Sequence, residues 1–185
     1  MPDPITNKID PAVVLAKIWE PLKQGSKIYA LLDAARDPTI HQKLSALDTS
    51  SCRPLFPEPL ATELLTVAPY LVQRGRTTDF MKQLIAEGWG NCWGFFVESS
   101  VAWEDLQKHL QGMLLVKDEA SRSLHFRFYD PRVFRVYLPA CNAAELSSVF
   151  GPVDRYCIEG ETANQLVNFS IANSKLVSET VGLAS

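Results

Sequence analysis

Two aspartates, Asp33 and Asp130, are the residues of this sequence that are best placed for chemistry. Asp33 ends the almost continuous apolar run 27–33, and Asp130 follows the alternating run 124–129. Side chains at the ends of sheet strands often bind ligands, and a carboxylate there can act as a nucleophile or as a metal ligand. A metal-dependent hydrolase that uses both carboxylates is therefore one hypothesis.

Arginines surround the second of these carboxylates. Arg127 precedes Asp130, while Arg132 and Arg135 follow Pro131. Guanidinium groups this close to a carboxylate pair with it and oppose the binding of a cation. Two compatible interpretations remain. Asp130 caps the segment after Pro131 and pairs with an arginine, or the group forms a charged binding corner at the end of a sheet.

The sequence lacks the common catalytic and cofactor motifs. It contains no G-x-S-x-G elbow, phosphate-binding loop, dinucleotide-binding glycine pattern or H-E-x-x-H zinc motif. Its four cysteines include no C-x-x-C pair. Cys52 or Cys92 could form a catalytic thiolate–histidine pair with His125. Any chain with this many cysteines and histidines allows such a pair, so the sequence gives it little support. We therefore expect no enzyme, with no catalytic residues, metal or other cofactor.

Length and charge limit the class of protein. A chain of 185 residues predicts one domain, with residues 1–9 as a loose leader. The net charge of −3 argues against nucleic acid or an anionic membrane as a partner. The sequence start does not resemble a signal peptide, and the cysteine spacing indicates reduced thiols, so we expect a cytoplasmic location.

Helices and strands alternate in the first half of the predicted fold. Asp-Pro or Thr-Asp pairs predict helix starts at residues 10, 37 and 78, and apolar runs predict strands at 27–33, 69–72 and 94–98. A continuous apolar strand is typical of the interior of a parallel sheet. We thus predict an α/β fold with a mixed sheet, parallel near Ile28, and flanking helices.

The second half predicts an antiparallel part of the sheet. A hairpin is predicted over residues 112–129, with a polar turn at 118–122, and a helix at about 136–148. Runs at 156–159 and 166–171 predict a last pair of strands. The tail after Val177 has too little apolar content to predict a strand.

Two further segments are candidate contact surfaces. Residues 49–59 form a long loop that contains three prolines, and loops of this length inside a domain are often functional. Trp89 and Trp93 flank glycines; they either pack in the core or form an exposed aromatic patch. Trp93 is kept as a candidate for binding a partner.

Five stretches taken in order resemble the bacterial type VI secretion adaptor family, also called effector chaperones (Tap or TEC proteins). They are residues 29–35, 69–72, 93–99, 106–110 and 126–133. The resemblance covers about residues 28–170, and the phenylalanine–arginine–aspartate–proline–arginine stretch is its most specific part. Where the family often has glycine after the first aspartate, this chain has Ala34.

The resemblance implies a non-enzymatic cytoplasmic chaperone. Such a protein binds an effector toxin and helps to load it onto the spike protein of the secretion tube. The positions carried over as partner-binding candidates are Asp33, Arg127, Asp130, Pro131 and Arg132. A second alternative is an immunity-type inhibitor, which binds a toxin in order to block it.

Overall fold

The computed structural model describes residues 9–57, 59–117 and 121–183. The predicted leader therefore lies outside the described residues except for residue 9, as do residue 58 of the proline loop and residues 118–120 of the hairpin turn. The helices are α1 (Pro11–Trp19), α2 (Pro38–Ser45), α3 (Thr62–Leu65), α4 (Asp79–Gly88), α5 (Trp103–Gly112), α6 (Pro131–Ala140) and α7 (Ala143–Phe150). The strands are β1 (Lys27–Asp33), β2 (Cys52–Pro54), β3 (Pro69–Val72), β4 (Gly94–Ser99), β5 (Leu115–Lys117), β6 (Ser123–His125), β7 (Val153–Glu159), β8 (Gln165–Ala172) and β9 (Lys175–Gly182).

Seven strands form one sheet in the order β2-β3-β1-β4-β7-β8-β9, and every neighbouring pair is antiparallel. The predicted parallel part is therefore wrong. Ala30 of β1 lies opposite Val72 on one side and Phe96 on the other, both in antiparallel register. The apolar run of β1 reflects burial on both faces, which an antiparallel sheet also has when helices cover both of its sides.

The two faces of the sheet carry two hydrophobic cores. Tyr29 and Leu31 point into one core, whereas Ala30 and Leu32 point into the other, as the strand period of two requires. The first core contains buried residues of α5, α6 and α7, and the second contains those of α1, α2 and α4. Among the described residues, no helix combines the length and the apolar character needed to cross a membrane.

The helix predicted at about 136–148 is two helices. Asp130 caps α6, which begins at Pro131, and its Oδ1 accepts a hydrogen bond of 2.9 Å from the backbone N–H of Arg132. Asn142 then caps α7 in a reciprocal capping box with Glu145. Asp-Pro starts α1 and α2 in the same way, so the signal for the early start of α6 was present in the sequence.

The hairpin is shorter than predicted. β5 and β6 form a separate two-stranded sheet in which Leu115 lies opposite His125. Beyond it, the backbone N–H of Phe126 still donates to the carbonyl of Leu114 at 2.8 Å, but Phe128 turns into the first core. The alternation of residues 124–129 thus arises from a short strand followed by a turn with buried aromatic rings.

Strand β9 was not predicted. It pairs with β8 through the two-residue turn Asn173–Ser174, and both residues have positive φ angles, of 50° and 60°. Such a turn matches the twist of antiparallel strands, and asparagine tolerates this conformation. Most side chains of β9 are exposed, which is why the apolar content of the tail gave no signal.

Candidate functional site

Asp33, Arg127, Asp130 and Arg132 assemble at one end of the large sheet, and we call them the charged corner. Because β1 and β4 are antiparallel, the carboxyl end of β1 lies beside the loop that leads into β4. The backbone N–H of Asp33 donates to the carbonyl of Trp93 in that loop at 2.8 Å. The turn before α6 brings Arg127 and Asp130 to the same place, and the first turn of α6 brings Arg132.

Asp33 is fully buried and is paired with Arg127. Its Oδ2 accepts a hydrogen bond of 2.6 Å from Arg127 Nη2, and its Oδ1 accepts one of 3.1 Å from the backbone N–H of Ala35. The hydrogen bond to Asp33 is the main cause that raises the pKa of Arg127. The Arg127 side chain is still 48% exposed.

Asp130 and Arg132 form a two-bond ion pair. Arg132 donates from Nε to Oδ1 at 3.0 Å and from Nη2 to Oδ2 at 2.6 Å. Burial alone raises the pKa of Asp130, but the hydrogen bonds from the side chain and backbone of Arg132 outweigh it, and the pKa lies below its ordinary value. The predicted cap and ion pair of Asp130 are both present. The Arg132 side chain is 52% exposed.

The other predicted residues hold the corner in place. Pro131 is buried at the first position of α6. Trp93 is 7% exposed, and its ring lies against Gly88 of α4. Of the two interpretations of this tryptophan, the structure has the one in which it packs in the core. Arg135 donates from Nη1 to the carbonyls of Glu159 and Gly160 at 2.8 and 2.7 Å, which ties α6 to the end of β7.

The charged corner is suited to binding oxygen atoms of a partner. Both carboxylates are buried against their arginine partners, whereas the side chains of Arg127 and Arg132 remain about half exposed. Exposed guanidinium groups bind carboxylates and carbonyl oxygens. Among the described residues, no group of three or more histidine, cysteine, aspartate or glutamate side chains is arranged to hold a metal ion.

The cysteines and His125 do not form an activated pair. Burial raises the pKa of Cys52 to about 12 and that of Cys92 to about 11, so both thiols are protonated at neutral pH. His125 Nε2 instead lies 3.1 Å from the hydroxyl of Tyr129. Burial also lowers the pKa of His125, which leaves the imidazole neutral at pH 7.

An exposed apolar groove of about 500 Å³ lies beside the hairpin. The proline loop, α3, the end of α5 and the hairpin strands β5 and β6 build it, and Leu64 and Leu115 on its walls are 45% and 64% exposed. Its lining residues are Phe56, Pro57, Pro59, Leu60, Leu64, Gln111, Leu114, Leu115 and His125. The proline loop was predicted as a contact surface, but the groove as a unit was missed, because its walls come from five separate parts of the chain.

Side-chain contacts connect the apolar groove to the charged corner. His125 lines the groove and lies within hydrogen-bond distance of Tyr129, and the guanidinium of Arg127 lies 5.9 Å from the centre of the Tyr129 ring. Arg127 in turn is bound to Asp33. The groove and the corner are therefore linked through Tyr129, which is 3% exposed and contacts His125 on one side and Arg127 on the other.

Comparison with known proteins gives one family. The model of a family described as a domain of unknown function, DUF4123, matches residues 28–148, which include all four residues of the charged corner and all those that line the apolar groove. The comparisons with curated proteins and with solved structures gave no match.

Proposed function

The chain belongs to the DUF4123 family, and from this we propose that it is a non-enzymatic adaptor for an effector toxin of the bacterial type VI secretion system. In this role it binds the effector in the producing cell and helps to load it onto the spike protein before secretion. The observation that supports the proposal is the exposed apolar groove, together with the half-exposed Arg127 and Arg132 side chains of the charged corner.

The groove and these two arginines together have the composition of a protein–protein interface. The core of an interface is depleted in charge and rich in large apolar side chains, and arginine is the charged residue that interfaces favour. Leu64 and Leu115 both supply exposed apolar area to the walls of the same groove. A contiguous apolar patch on a protein surface marks an interaction site more often than isolated exposed leucines do.

Co-expression with the toxin and spike genes encoded beside this chain tests the proposal. We expect affinity capture and size-exclusion chromatography to recover a complex that contains both partners. Recovery of neither partner would overturn the adaptor proposal. If only the toxin is recovered, its activity decides: an immunity-type inhibitor abolishes toxicity, whereas an adaptor leaves it unchanged.

A leucine-to-glutamate exchange tests the groove directly. Leu115→Glu places a charge on the wall of the apolar groove, and we expect it to weaken effector binding about 30-fold or more, the effect of losing an interface hot spot. Val136→Glu is the matched control, since Val136 is 73% exposed on α6 and does not line the groove. Equal binding by the two variants would contradict a role of the groove.

Charge reversal tests the corner. Arg132→Glu removes an exposed guanidinium and places a carboxylate beside Asp130, so we expect binding to fall by a larger factor than stability does. Arg132→Gln, which removes the charge without adding repulsion, serves as the second variant. Parallel losses of binding and thermal stability in both variants would assign Arg132 to the structure of the helix start alone.

A further inference from the structure

Strand β9 leaves one edge of the large sheet open. It pairs with β8 without a bulge, from Lys175 opposite Ala172 to Gly182 opposite Gln165. The backbone N–H of the next residue, Leu183, donates to the carbonyl of Asn164 at 2.8 Å. Hydrogen-bonded and non-hydrogen-bonded pairs alternate along an antiparallel ladder. The even-numbered residues 176–182 therefore direct their N–H and C=O groups away from β8. Within the described ranges, no backbone group of another element pairs with them.

The two edges of the sheet differ in their protection. The opposite edge is β2, which has three residues and ends in Pro54, a residue that cannot donate to a ladder. β9 has eight residues and contains no proline. Proteins usually block sheet edges with prolines, bulges or short strands, because an open edge pairs with another strand. The open edge at β9 is therefore a surface for strand pairing.

The side chains of β9 are complementary to a second copy of the same strand. Lys175, Val177 and Glu179 follow one another on one face of β9, and all three are exposed. In an antiparallel pair with a two-fold axis at Val177, Lys175 of each copy lies opposite Glu179 of the other, and the two valines lie opposite each other. These would be the closely spaced pairs of the new ladder, in which opposite charges and apolar side chains interact most.

We propose that two copies of this chain associate through β9 in this register, so that their large sheets become one. Other registers are less favourable. An axis at Glu179 sets the two glutamates opposite each other, which is destabilising. An axis at Ser178 sets both charged residues opposite valines. Only the axis at Val177 pairs each charge with its opposite.

The association leaves the apolar groove accessible. The groove is built on the loop that follows β2, which lies at the other edge of the sheet from β9. A dimer formed through β9 would thus carry two copies of the groove at its two ends. The inference rests on β9 alone and does not depend on the proposed adaptor function.

Sedimentation velocity of the full chain over a range of concentrations tests the proposal. We expect the wild type to show a concentration-dependent monomer–dimer equilibrium. Glu179→Lys replaces each of the two Lys175–Glu179 pairs of the dimer by a pair of lysines, and we expect it to weaken association at least 10-fold. The double variant Lys175→Glu/Glu179→Lys restores opposite charges and should restore the dimer. Glu161→Lys makes the same charge change in the exposed turn before β8 and is the matched control.

A backbone variant separates strand pairing from other contacts. Ser178→Pro removes an N–H that points away from β8, so we expect it to abolish the dimer while the circular dichroism spectrum stays that of the wild type. A wild type that stays monomeric at all concentrations would overturn the proposal. This holds even if the open edge of β9 then proves to bind an extended segment of another protein. Dimerisation that survives both Ser178→Pro and Glu179→Lys would overturn it as well.

Discussion

Arg155→Met should be among the most destabilising single substitutions in this chain. Arg155 on β7 and Glu98 on β4 form a buried ion pair across the centre of the sheet, with Nε 2.7 Å from Oε2. The guanidinium also donates to Asn168 Oδ1 at 3.2 Å and to the carbonyl of Ile18 at 2.8 Å. Methionine fills a similar volume, but it leaves the Glu98 carboxylate buried, and in the described part of the chain its remaining partner is the N–H of Lys23, at 2.9 Å.

The expected loss follows from the buried charge that remains. Removing one partner of a buried ion pair costs about 3–5 kcal/mol. For a domain of this size, about 2–4 °C of melting temperature corresponds to each kcal/mol, so the midpoint should fall by about 6–20 °C. Urea unfolding should show the same loss at an unchanged m value, because the surface exposed on unfolding stays the same.

The double variant Glu98→Gln/Arg155→Met is the decisive comparison. It removes the buried charge as well, so we expect it to be more stable than Arg155→Met by about 1–3 kcal/mol. Arg53→Met is the matched control, since Arg53 pairs with Glu104 at 3.6 Å near the surface, where such pairs contribute about 0–1 kcal/mol. The reasoning would be refuted if the stability losses of Glu98→Gln and Arg155→Met simply added up in the double variant. A loss of unfolding free energy below about 1 kcal/mol in Arg155→Met would refute it as well.

Three further predictions concern the core and its pH dependence. Tyr29→Phe should keep or raise the melting temperature, because the buried hydroxyl has no hydrogen-bond partner in the described part of the chain; a loss above about 1 kcal/mol would argue for a hidden partner. Gly94→Ala should prevent folding, as judged by circular dichroism, because the added Cβ would overlap the backbone of β1, whereas Gly112→Ala meets open space and should fold. Burial lowers the pKa of His109 below 6.5 in the folded state, so the unfolded chain binds the proton more readily. Unfolding free energy should therefore fall as pH drops through about 6.5 toward the lower folded pKa, and His109→Gln should make that decline shallower; an unchanged slope would contradict this.

The sequence predicted the parts of the fold that depend on neighbouring residues. Asp10, Asp37 and Asp130 each cap a helix that begins with proline, and all three pairs were readable as such. The sequence could not predict the relative direction of the strands. The apolar run of β1 indicates burial on both faces, but it does not indicate whether the neighbouring strands are parallel or antiparallel to it. β9 was missed for the opposite reason: it is an exposed edge strand held by its backbone ladder.

The same limit applies to the charged corner. Asp130 and Arg132 are two residues apart, so their pairing follows from local geometry. Asp33 and Arg127 are separated by 94 positions, and their contact depends on the path of the whole sheet. The family resemblance named both residues, but spacing could not show that they touch. Trp93 was selected as a partner-binding candidate from its residue type, which does not distinguish a buried ring from an exposed one.

The pairing of β4 with β7 has a consequence for how fragments of this chain would behave. The segment that matches the family ends at residue 148, before β7 begins. A fragment cut there would lose the strand that covers one edge of β4, together with Tyr156 and Ile158 from the first core. It would also lose the guanidinium that neutralises Glu98. The segment that the family model matches is thus smaller than the sheet with its two cores, and an expression fragment should keep β7, β8 and β9.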